Sequence, residues 1–259
     1  MYTKEDRGTL FDQIVKYMKS ELEFEGLLQI GSGTAGYTDL YSDIDLMAGC
    51  FTESDISAAN RKLINWFENT GAVYVDKRAW SDTVLGLSAY YENGLSVDLS
   101  FMPTQELVIR SLACHILFSK TDGFVDKVSS CKESLAAMEQ KQMMDTSIHH
   151  RFIYALRRCR IACYRGEYVY ADMALAEARQ ILLKLECVRE KKKIHQFKAY
   201  NTLQSTFLDR LELTYPAARN EYATLAAQQQ LLSLYLDTVE LCNDFPFDDV
   251  QLKLLQCFD

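Results

Sequence analysis

Strand-length apolar runs occupy only the first half of this 259-residue chain; after about residue 124 the apolar residues recur at helical spacing alone. That division confines the fold to an α+β domain followed by an all-α helical bundle. Within the first half, GTLFDQIVKYMKSELE sets Leu10, Ile14, Met18 and Leu22 on one stripe, which predicts a helix. GLLQI reads as a short buried strand ending at Gly31-Ser32, and SDIDLMAGC as a second strand. TESDISAANRKLINWFENTG opens with capping residues and closes at Gly71, so a helix is expected there, with Trp66 on its apolar face. AVYVDKRAW is rich in β-formers. Two further apolar runs flank Asn93-Gly94, the strongest short-range hairpin signal. HILFSKTDG reads as a last strand ending in a turn at Asp122-Gly123.

The second half contains only helical patterns. HRFIYALRRCRIACYRG places Phe152, Leu156, Cys159 and Cys163 on one stripe and stops at Gly166. The next segment repeats the pattern through Leu175, Leu182 and Leu185 and ends in Lys191-Lys192-Lys193, a basic last turn that suits the helix dipole. Two more helices are expected, at about 194–213 and 217–242, separated at Tyr215-Pro216. The domain boundary is placed after residue 123, giving units 1–123 and 124–259.

No apolar run is long enough to span a bilayer, and the N-terminus MYTKEDRG is charged where a leader would need an apolar core, so a cytoplasmic location is expected. The eight cysteines show no CxxC and no zinc-site spacing with histidine, which reads as free, mostly buried thiols. Charge is unevenly divided. Residues 1–148 hold 13 Lys and Arg against 22 Asp and Glu, a balance of −9, whereas the remainder holds 15 against 14. An acidic first half argues against a nucleic-acid backbone as partner and suits a cationic ligand or a metal.

Three carboxylates stand out. Asp43 and Asp45 are one residue apart in a strand, so they share a face while Ile44 and Leu46 pack behind them. Like charges held that close repel unless a cation lies between them. Paired carboxylates suit a hard, oxygen-seeking ion such as Mg²⁺, which also binds phosphates. Asp98 alternates with Leu95, Val97 and Leu99 and shares its face with Ser96 and Ser100. The Gly31-Ser32 turn offers backbone N–H groups and a hydroxyl to a phosphate.

GSGTAGYTDLYSDIDL followed by LSVDLS resembles the signature of the nucleotidyltransferase superfamily of the DNA polymerase beta type. The small-molecule branch, with the aminoglycoside and lincosamide nucleotidyltransferases, is similar in length and also carries a helical C-terminal domain. The resemblance implies a mixed sheet with flanking helices, followed by an all-α bundle. It implies that Asp43 and Asp45 bind the metal, that Asp98 is the third carboxylate with a metal-binding or proton-accepting role, and that Gly31 and Ser32 hold the triphosphate. It further implies transfer of AMP from Mg-ATP to a small hydroxylated acceptor, the best guess being an aminoglycoside-like antibiotic, and hence a role in antibiotic resistance. The alternatives are a protein-modifying AMP transferase and a non-catalytic nucleotide-binding protein of the same fold. Many members carry a base in the spacer before its internal glycine. Here Ala35 precedes Gly36, and no base lies between Gly31 and Asp45. Positive charge would have to come from Lys77, Arg78 or the arginines from Arg151 to Arg165.

Other candidates have plainer readings. His149-His150 reads as a polar cap rather than a catalytic pair, and Arg157, Arg158 and Arg160 as a solvated helix face. Glu167 and Asp172 are possible general bases, though a first helical turn favours acids in any protein.

Overall fold

In this computed structural model the described residues are 1–37, 41–139, 147–192, 197–242 and 246–258. The chain divides into two compact units, Met1–Lys141 and Gln142–Asp259.

The first unit is built on six strands: β1 (Phe24–Gln29), β2 (Ile44–Cys50), β3 (Ala72–Ala79), β4 (Leu85–Tyr91), β5 (Ser96–Pro103) and β6 (His115–Ser119). They lie in the order β3-β4-β5-β2-β1-β6. β2 runs parallel to β5, and every other neighbouring pair is antiparallel. Two helices, α1 (Lys4–Ser20) and α2 (Asp55–Asn69), supply the apolar residues of one face. There Ile14, Met18, Leu63 and Phe67 form one core with Ile44, Leu46, Val97 and Leu99. Helix α1 begins with a capping box in which Thr3 and Asp6 satisfy each other's backbone N–H groups. Trp66 stacks on Tyr17 at 5.1 Å and packs against this core, as its place on the apolar face predicted.

The second face is covered by α3 (Asp122–Glu139). Phe124 and Val128 form its core with Leu28, Met102 and Leu107. Gly49 makes this close approach possible, because a Cβ there would come within 2.7 Å of the Phe124 ring. Asp122-Gly123 is therefore the start of α3 and not a terminal turn, and the compact units part after Lys141 instead of after residue 123. The chain is helical beyond residue 124 among the described residues, but the first of these helices, α3, packs on the sheet.

The second unit holds α4 (Ile148–Tyr164), α5 (Tyr168–Arg189), α6 (Ser205–Glu212), α7 (Glu221–Leu241) and α8 (Asp249–Leu255). Its core centres on Tyr235, stacked on Phe152 at 3.6 Å, with Leu156, Cys159, Leu175 and Leu182 around it. The helix expected at 194–213 is a 3-10 stretch, Phe197–Thr202, followed by the short α6; residues 193–196 and so Lys193 lie outside the described residues. Helix α7 starts where the Asn220 side chain caps Ala223 N–H. The two units together bear out the expected class, an α+β mixed sheet with flanking helices followed by an all-α domain. Among the described residues no helix is long and apolar enough to cross a membrane.

Candidate active site

The buried pairs Ile44–Val97 and Leu46–Leu99 fix the register of β2 against β5, since a one-residue slip would turn both apolar sets to the wrong face. That register sets Asp45 directly beside Asp98. On the other side of β5, Asp98 pairs with Ser88 of β4, and Ser88 with Asp76 of β3. The result is a row of four polar residues, Asp76, Ser88, Asp98 and Asp45, across four adjacent strands.

One cation serves three members of this row. The Arg78 guanidinium donates to Asp98 Oδ1 at 2.8 Å and to the Ser88 hydroxyl, and its Nε lies 3.8 Å from Asp76 Oδ2. The Ser88 hydroxyl in turn donates to Asp98. Arg78 and Asp98 are each about half exposed, with 47% and 46% of their side chains accessible, while Ser88 is buried.

The glycine turn reaches the row through the backbone. Ile30 N–H donates to the Asp45 carbonyl at 3.1 Å, which brings the 3-10 turn Gly31–Ala35 against β2. Gly31 adopts φ +65°, and a Cβ on it would overlap the Asp45 carboxylate. Glycine is needed here twice, for the left-handed backbone and for the space. The turn is held by the Thr34 hydroxyl donating to Gly31 O at 2.7 Å and by a contact of His115 Nε2 with Thr34 O at 3.1 Å. Ser32 lies in the same turn, partly buried.

Asp43 differs from its expectation. β2 begins at Ile44, so Asp43 precedes the strand instead of lying within it. Its neighbour Ser42 is anchored from α1 and the residues before it: the Ser42 carbonyl accepts from Arg7 at 3.0 Å and from the Tyr2 hydroxyl at 3.1 Å. Arg7 is buried, and its guanidinium lies 4.0 Å from the centre of the Tyr37 ring. Burial pushes the Tyr37 hydroxyl above the usual tyrosine range; a hydrogen bond from Gln29 and the charge of Arg7 pull it down, and Asp45 raises it further.

Thus Asp45, Asp98 and Gly31 come together, and Ser32 shares the turn. Among the described residues no three His, Cys, Asp or Glu side chains are gathered as a metal cluster, so Asp43, Asp45 and Asp98 are not assembled into one. The donor set nonetheless fits a magnesium ion: two carboxylates paired on adjacent strands, with the Gly31 turn close against one of them.

Ser88, Arg7 and Tyr37 escaped the sequence reading. Ser88 was out of reach as well, because a two-residue turn at Asn93-Gly94 would pair Asp98 with Ala89, and only the observed register sets it opposite Ser88. Arg7 and Tyr37 carry no local signal. In the second unit, His149 is buried and bonded to the Tyr235 hydroxyl at 2.8 Å, so it is a core residue and not an exposed cap. Arg158 pairs with Glu177, and Arg160 donates to the carbonyls of Cys257 and Phe258. Asp172 contacts the buried Arg179 at 3.2 Å.

No family model matches the chain, and no curated protein matches it. Among solved structures it is similar to an aminoglycoside 6-adenyltransferase from Bacillus subtilis, at 10% identity and TM-score 0.44, over 100% of this chain and 98% of that one. It is also similar to a nucleotidyltransferase-like protein from Exiguobacterium sibiricum, at 16% identity and TM-score 0.39, over 90% of this chain and 74% of that one.

Proposed function

We propose that this protein is a nucleotidyltransferase that moves a nucleoside monophosphate, AMP from Mg-ATP, to a hydroxyl of a small acceptor. The observation that carries the reading is the register pair Asp45–Asp98 with Gly31 closed over Asp45. It joins the two parts of the signature that the sequence resembles, which lie more than fifty residues apart in the chain.

Asp45 and Asp98, with Asp43 two residues before Asp45, would hold one or two Mg²⁺ ions. Bound there, magnesium supplies charge neutralisation on the polyphosphate. Gly31 and Ser32 would position the β- and γ-phosphates. The acceptor oxygen attacks the α-phosphorus, the bond to the β-phosphate oxygen breaks, and pyrophosphate leaves. Asp98 would take the proton of the attacking hydroxyl. The acidic balance of the first half favours a cationic acceptor, and an aminoglycoside-like compound fits that charge.

The test is pyrophosphate release from Mg-ATP in the presence of a panel of hydroxylated acceptors, aminoglycosides, lincosamides and neutral sugars among them. Release that depends on one class identifies the acceptor. Release that depends only on a protein hydroxyl supports the protein-modifying alternative, and binding of ATP without transfer to any acceptor supports the non-catalytic one.

A further inference from the structure

Arg78 is placed where two different ligands would want different things from it. Its guanidinium sits on Asp98 Oδ1, one of the oxygens that a metal between Asp45 and Asp98 would use. A guanidinium and a divalent cation on the same carboxylate repel each other, so metal binding at the pair opposes the ion pair seen here. The side chain is free to respond. It rises from an edge strand of the sheet and is about half exposed. The glycine turn, meanwhile, brings no base of its own between Gly31 and Asp45.

We propose that Arg78 is a transferable cation: it neutralises Asp98 in the metal-free protein and moves to the polyphosphate when metal and nucleotide bind together. This rests on the nucleotidyltransferase reading and adds to it the source of the missing phosphate contact. A guanidinium suits both partners, since carboxylate and phosphate each accept its paired N–H groups. Ser88 marks the starting position, with its hydroxyl accepting from Arg78 and donating to Asp98. The exchange makes metal and nucleotide binding mutually supportive. Metal displaces the guanidinium from Asp98, and the displaced guanidinium meets the phosphates.

The proposal has a signature that a purely structural ion pair lacks, because R78Q should change two affinities in opposite directions. Mn²⁺ alone, titrated by electron paramagnetic resonance, should bind R78Q roughly threefold or more tightly than wild type, since the competing charge is gone. A non-hydrolysable ATP analogue, titrated calorimetrically at saturating Mg²⁺, should bind R78Q roughly tenfold more weakly. R78K, which keeps the charge and loses the fork, should hold Mn²⁺ affinity near wild type while still weakening the analogue. Circular dichroism melts check that both variants are folded; should R78Q not fold, the same two titrations on R78K decide, and unchanged analogue affinity there overturns the proposal. If wild type binds both ligands and R78Q binds Mn²⁺ no more tightly, or binds the analogue as well as wild type, the proposal is wrong and the nucleotidyltransferase reading stands. If wild type binds neither ligand, both fall together.

Discussion

Gly31 and Asp45 occupy one space: the carboxylate of Asp45 lies where a side chain at residue 31 would begin. Gly36, at the far end of the same turn, also has positive φ, but nothing lies within 4 Å of its missing Cβ. The two glycines therefore separate backbone strain from crowding. G36A should cost about 1 kcal/mol, the ordinary penalty for a side chain in left-handed backbone, and leave nucleotide binding intact. G31A should cost more than that and should also weaken Mg-ATP binding, because Asp45 must move. Urea denaturation and calorimetric titration of the two variants check this; equal losses in both would show that Asp45 is not constrained by Gly31.

Asp98 should matter to chemistry far more than to folding. Its ion pair with Arg78 is about half exposed, and pairs of that kind contribute roughly 0–1 kcal/mol. D98N should thus change the unfolding free energy by less than about 1 kcal/mol while abolishing nucleotidyl transfer. A large loss of stability would mean that the row Asp76, Ser88, Asp98 and Asp45 is a structural network first.

The thiols give a prediction with a definite pH window. Burial pushes Cys50 and Cys159 up to about 12, from an ordinary 9.0. Since the folded values lie above the unfolded one, the associated stability is fully present below pH 9 and is lost as pH climbs toward 12. The double variant C50A/C159A should show a shallower loss over that window in urea denaturation. At pH 8, alkylation of the native protein should reach the exposed Cys257 first, Cys131 more slowly and the six buried thiols only on unfolding. Rapid labelling of Cys159 in the native protein would contradict the packing of the helical unit.

Much of this architecture could be read from local pattern. The hairpin at Asn93-Gly94, the strand Ile44–Cys50 and the helices that close at Gly71 and Gly166 follow from periodicity and turn chemistry. The resemblance carried by Gly31, Asp45 and Asp98 implied their meeting, although only strand order and register bring Asp98 to Asp45. Non-local relationships were out of reach. Helix α3 packs on the sheet because Gly49 admits Phe124, and no periodicity count reveals that complementarity. The anchoring of Ser42 by Arg7 joins positions 35 residues apart through one carbonyl. His149 looked like a cap because it starts a helix, but the Tyr235 hydroxyl that satisfies it comes from 86 residues away.

The central claim is that the Asp45–Asp98 pair, with Gly31 against it, holds a metal–nucleotide complex. It is tested most directly by titrating a non-hydrolysable ATP analogue into wild type and D45N/D98N, each with and without Mg²⁺. The account predicts binding to wild type only when Mg²⁺ is present, and none to the double variant, whose melting temperature without ligand should stay close to that of wild type, because the lost Asp98–Arg78 ion pair offsets the relieved repulsion between the carboxylates. Equal, magnesium-dependent binding by both proteins would contradict it.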